Sequence, residues 1–174
     1  MKSLTALSVS IGGIAGLATF LSVGPMGGVF FIWAATIPWA AYFALGADDE
    51  AAKNMVVCGI FGVVIAWMAA IGITNEAAQA MLGLPIWAAI VVTVTVTVLC
   101  YAANIPALGC IPASVIGYSL AFAYLLQTPG MLSQEVLYGA DLTNPLLVIS
   151  ISICAGVGFG IWSANMSAKL TTKE

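Results

Sequence analysis

Apolar runs of about twenty residues recur along the whole chain, and none of them carries an Asp, Glu, Lys, Arg or His near its middle. At 1.5 Å of helical rise per residue, about twenty residues cross a hydrocarbon layer roughly 30 Å thick. A soluble domain normally holds about a quarter charged residues, because water must be satisfied over its whole surface. Here 6% of residues are charged, 62% are hydrophobic and the mean hydropathy is +1.11. Such a chain cannot cover a water-facing surface. The expected fold is therefore all-α and polytopic, a single transmembrane domain over residues 1–174 with a lipid bilayer as its solvent.

Six segments are expected: Leu4–Val23, Gly27–Leu45, Ala51–Ile73, Leu84–Tyr101, Ile105–Leu126 and Asn144–Met166. Gly24-Pro25 breaks the first from the second. Asp48-Asp49-Glu50 closes the second and opens the third, since acids favour a helix N-terminus. Pro85 suits a first turn, and Asn144-Pro145 is a cap followed by proline. Pro106 and Pro112 fall in the first third of the fifth segment. Between the segments, residues 75–80 and 133–138 are each long enough for a short interfacial helix beside an acidic vestibule. Lys2 ahead of an apolar run resembles a signal peptide, but a small-x-small cleavage site is missing, so the run is read as a mature helix.

With six crossings and a cytoplasmic N-terminus, Lys2, Lys53, Lys169 and Lys173 all fall inside, while the outer loops hold only Glu76, Glu135 and Asp141. This is the lysine asymmetry expected of cytoplasmic loops. Five or seven crossings would separate Lys2 from Lys169 and Lys173. Both termini are thus expected in the cytoplasm.

Small residues recur at helical spacing. Gly12 and Gly16, and Gly156 and Gly160, form GxxxG pairs, and Gly59 with Gly62 follows Cys58 in the third segment. Small residues let helix backbones approach closely in lipid, so these glycines are expected to pack the first, third and last helices. The related patterns from Ser8, Cys58 and Ser150 also suggest an internal repeat. Ile37-Pro38-Trp39 set beside Ile111-Pro112-Ala113 favours an inverted pair of three helices; three parallel hairpins is the alternative.

Histidine and arginine, the usual base and anion clamp, are absent. Cys58, Cys100, Cys110 and Cys154 lie in apolar runs without metal-ligand spacing, and there is no basic patch for nucleic acid. No catalytic residue, metal or cofactor is expected, and the chain is not read as an enzyme. A missing membrane-depth charge also argues against proton coupling. What remains at depth is neutral: Pro38, Trp39, Tyr42, Trp67, Pro112, Ser114, Tyr118 and Trp162 are the pore-lining candidates, with Pro38 and Pro112 each freeing a carbonyl. Thr93 and Thr97 share a helix face that Thr95 does not.

Leu4-Thr5-Ala6-Leu7, Ala41-Tyr42-Phe43-Ala44, the stretch from Pro112 to Gly117, and Gly156-x-x-Phe159-Gly160 resemble the small bacterial inner-membrane family that includes YcdZ. Ala113 stands where that pattern has glycine, and the loop before the last helix is longer. The resemblance implies an inner-membrane location in a bacterium and no assigned activity. In size and helix count the chain is also similar to the urea and amide channels, an architectural analogy. The expected function is a channel or facilitator for a small neutral solute such as urea, ammonia, a short amide or a gas, acting as a homo-oligomer. The alternatives are a non-transporting membrane subunit or assembly partner, and a small secondary transporter.

Overall fold

The computed structural model describes residues 1–171; Lys173, assigned above to the cytoplasmic side, lies outside them. The described residues form eight α-helices and two short 3₁₀ helices, with no strand among them. Four are long and apolar enough to cross a membrane: α1 (Ser3–Val23), α3 (Asp49–Ile73), α5 (Leu84–Tyr101, with its 3₁₀ extension) and α8 (Pro145–Leu170). Two apolar helices are shorter, α2 (Ile32–Ala44) and α6 (Ile111–Gln127). At 1.5 Å per residue these two span about 20 and 26 Å, against roughly 38 Å for α3. The remaining two, α4 (Glu76–Leu82) and α7 (Gln134–Tyr138), occupy the two connections where short helices are expected.

Most boundaries follow from local chemistry. The Asp48 carboxylate accepts the Ala51 N–H at 2.7 Å, and the Asn144 side chain accepts that of Leu146 at 2.9 Å. Asn75 and Ser133 cap α4 and α7 in the same way. Each satisfies one of the N–H groups that a helix start leaves unpaired. Gly46 and Ala47 make the turn into α3 with positive φ, and the Tyr42 hydroxyl donates to the Ala47 carbonyl to hold it.

Two starts differ from expectation. The second membrane helix begins at Ile32 rather than Gly27, because the Ser22 hydroxyl reaches back from α1, accepting the Ile32 N–H and donating to the Phe30 carbonyl. The fifth begins at Ile111 rather than Ile105; Ala102–Asn104 and Pro106–Leu108 form short 3₁₀ turns instead. Pro112 therefore sits in the first turn of α6, where its missing N–H is one of the unpaired ones anyway, and it frees no carbonyl. Among the described residues only Pro38, inside α2, interrupts a helix.

Helix α3 packs most extensively against α6, and α8 carries α2 and α1; α5 leans on α3, and α3 crosses α8. Lys2, Lys53 and Lys169 lie at one end of this bundle, where the Met1 ammonium donates to the Leu170 carbonyl at 3.2 Å. The opposite end bears α4 and α7 with Glu76, Glu135 and Asp141, and among the described residues no lysine.

Gly117→Leu should cost about 3 kcal/mol or more by overpacking, because its new Cβ would fall on the Gly59 carbonyl. Gly158→Leu, whose Cβ would meet nothing, should be neutral. Thermal unfolding in detergent, followed by size-exclusion of the survivors, separates the two; equal losses would mean that the α3–α6 contact is not close.

Candidate functional site

The bundle is built around two helix crossings in which backbones nearly touch. Between α3 and α6, a Cβ on Gly62 would meet the Ser114 carbonyl oxygen, and one on Gly117 the Gly59 carbonyl oxygen. Between α8 and α2, a Cβ on Gly156 would meet the Ala35 carbonyl oxygen, and one on Gly160 would stand 2.7 Å from the Tyr42 ring. Both pairs run parallel. Contacts advance together from Phe31–Ser152 through Ala35–Gly156 to Tyr42–Gly160. The other pair advances from Cys58, 3.6 Å from the Ala107 carbonyl, to Ile73 and Gln127 lining one groove.

The two crossings are equivalent. A constant shift in residue number carries Ala35 to Ser114, Trp39 to Tyr118 and Phe43 to Phe122, while a second carries Cys58 to Ser152 and Gly62 to Gly156. Correspondingly, α1 leans on α8 as α5 leans on α3, and Ile153 touches Gly59 where the long helices cross. Because successive spans alternate in direction, two three-helix units related in this way are inverted. The proline pairing read from sequence is not the structural one: Pro38 corresponds to Gly117, not to Pro112. Nor does α1 join the glycine packing within the chain, since Gly12 and Gly16 face open space.

The short helices of each unit start deep, beside this central crossing. The Phe31 N–H donates to the Ser152 hydroxyl at 3.1 Å, and Ser152 passes its own proton to the Val148 carbonyl. Cys58 holds the matching place at α6. One turn into α6 the Ser114 hydroxyl is fully buried against the Cys58 thiol and bonds to no carbonyl of its own helix.

The eight pore-lining candidates do not share one lumen. Trp39 is buried against α8, donating to the Ser163 hydroxyl at 3.0 Å, and Tyr42 and Pro38 pack beside it at Gly160 and Gly156. Trp67 ties down the loop end: its indole donates at 2.7 Å to the Leu137 carbonyl, which also accepts from the Asn144 amide. Trp162 is half exposed on the outer surface and Pro112 is exposed. Ser114 lies in the α3–α6 crossing, and Tyr118 lines a groove between α5 and α6.

That groove encloses about 640 Å³ and carries a partner the sequence reading passed over, Thr95, whose hydroxyl stands 3.0 Å from that of Tyr118. Thr95 gives its single proton to the Val91 carbonyl at 2.8 Å, so Tyr118 is the donor between them. Threonines at 93 and 97 bond back to their own helix on the exposed face. The symmetry mate of the groove, between α1 and α2, encloses about 220 Å³ and is lined by the corresponding Trp39, Ala40 and Phe43. A third cavity of about 430 Å³ lies at the α4–α7 end among Thr74, Glu76, Gln79, Ser133 and Gln134. At the same end of the bundle, Asp141 accepts from both the hydroxyl and the N–H of Thr143, which holds its carboxyl below the ordinary aspartate range. The carboxylate form steadies the turn into α8, and that support fades as pH falls through the lowered value. Among the described residues no group of three or more metal-ligating side chains converges.

The chain matches the family described as "Protein of unknown function (DUF1097)" over residues 8–168. No curated protein and no solved structure matches it.

Trp67→Phe should loosen α7 by removing one of the two donors to the Leu137 carbonyl, at a cost of about 1 kcal/mol. Amide exchange over residues 134–138 should then speed up in the variant, whereas Trp162→Phe should leave it unchanged. Unaltered exchange in both would show that the indole does not anchor the loop.

Proposed function

The chain belongs to the DUF1097 family, and we propose that it is a bacterial inner-membrane facilitator for a small uncharged solute, of the YcdZ type, with both termini cytoplasmic. One observation carries this reading. Two short helices in corresponding positions of the inverted units, α2 and α6, begin deep in the bundle, and the fully buried Ser114 hydroxyl lies there against the Cys58 thiol. Short or interrupted helices in matching positions of two halves are where transport proteins bind their cargo. The polar groups around these starts are hydroxyls and a thiol (Ser22, Ser152, Cys58, Ser114), and no ionisable carboxylate or amine lies near them in sequence or packing. Such a surface can exchange hydrogen bonds with urea, ammonia or a short amide and offers no charge to hold an ion.

Tight packing at the crossing restricts what can pass through a resting protomer, so a very small solute is favoured over a larger one. The outward glycines of α1 support a homo-oligomer. Gly12, Gly13 and Gly16 are open to another helix, and small-residue faces of this kind draw membrane helices together. The same face also suits the second reading, a subunit held in a larger complex.

Purified protein in liposomes should speed stopped-flow equilibration of at least one solute among urea, acetamide and ammonia. Ser114→Ala should alter that rate by about three- to tenfold, the equivalent of roughly one hydrogen bond. Rates equal to those of empty vesicles for the whole panel would reject the facilitator reading, and a constant stoichiometry with a second protein on gentle extraction would favour the subunit.

A further inference from the structure

The polar cavity at the α4–α7 end and the apolar α5–α6 groove adjoin, sharing Ile73, Leu84 and Leu132 as common walls. Their chemistry is divided. The cavity presents Thr74, Glu76, Gln79 and Gln134, with the Gln134 amide reaching across to the Thr74 carbonyl at 3.4 Å. The groove below is walled by Ala88, Val92, Phe122, Ala123 and Leu126. Along α6 it runs from Gln127 to Tyr118, nine residues or about 13 Å of helix. At its floor are the Tyr118 and Ser119 hydroxyls, and because Tyr118 spends its proton on Thr95, its oxygen is left as an acceptor.

We propose that cavity and groove together bind one amphiphile, with an alkyl chain lying between α5 and α6 and a cationic, hydrogen-bonding head among Glu76, Gln79 and Gln134. The sign of the head follows from charge complementarity. Glu76 lines the head cavity, Glu135 and Asp141 lie at the same end, and among the described residues every lysine lies at the other end. An anionic head would meet only like charge there. The chain's place follows from the division of surfaces: the apolar walls begin where the polar ones stop, at the three shared residues. This site stands apart from solute passage at the central crossing, and either can fail without the other.

The test uses the full-length protein in phosphatidylcholine nanodiscs with dodecylamine carrying a photoreactive diazirine in its tail. Irradiation and peptide mapping should place the label on the α5 and α6 segments that line the groove. Glu76→Gln should weaken labelling by about three- to tenfold, as for a partly exposed charge contact. The double variant Ala88→Leu with Ala123→Leu, which fills the groove with side chains that need no repacking of the core, should abolish it. Size-exclusion and circular dichroism identify a variant that has merely failed to fold, and Ala123→Leu alone then supplies the comparison. Label spread evenly over the lipid-facing surfaces of α1 and α5, or equal labelling by the matching diazirine fatty acid, would overturn the proposal.

Discussion

Once lipid surrounds a helix, burying its apolar side chains against another helix removes them from an equally apolar solvent, so the hydrophobic effect no longer drives association. Close packing must do so instead, and in this protein it is concentrated where glycine removes the side chain altogether. At Gly62 and Gly117 on one side, and Gly156 on the other, a single added carbon would meet a neighbour's backbone oxygen. The two parallel pairs, α3 with α6 and α8 with α2, are thereby fixed as units, and the α3–α8 crossing joins them. The outer helices α1 and α5, the grooves beside them and the depth at which α2 and α6 begin all follow from these contacts.

The inverted relation between the units explains features that would otherwise look unrelated. Ser152 receives the Phe31 N–H, and Cys58 occupies the matching place where α6 begins. Trp39 and Tyr118 correspond, each at the floor of a groove, yet one groove is about three times the volume of the other. The polar tips of these two aromatics also point to different neighbours, the Trp39 indole toward α8 at Ser163 and the Tyr118 phenol toward α5 at Thr95. Equivalent backbones thus carry differently directed polar groups.

Much of the fold was legible because the signals are local. Asp48, Asn75, Ser133 and Asn144 each cap a helix from within three residues, and those starts lie close to where composition and capping place them. The start of α2 was not, since Gly27 to Phe31 is as apolar as the helix that follows, and the Ser22 hydroxyl that sets the boundary comes from another helix. For the same reason sequence could not tell which glycines matter. Gly12-x-x-x-Gly16 has the same spacing as Gly156-x-x-x-Gly160, but only the latter faces a neighbour in the chain. The candidate site was legible by residue type and not by arrangement. Thr95 shows this: its own helix face gives no hint of Tyr118, which α6 brings to it.

Six crossings would set every ionised group among the described residues at one of the two membrane faces, with nothing charged between. Single cysteines placed in a background lacking Cys58, Cys100, Cys110 and Cys154 test this directly, using a membrane-impermeant maleimide on sealed, right-side-out and inverted vesicles. Cysteines replacing Lys2, Lys53 and Lys169 should react only from the cytoplasmic side, and those replacing Glu76, Glu135 and Asp141 only from the opposite one. A member of either set reacting from the other side would contradict the six-crossing arrangement and the inverted units built on it.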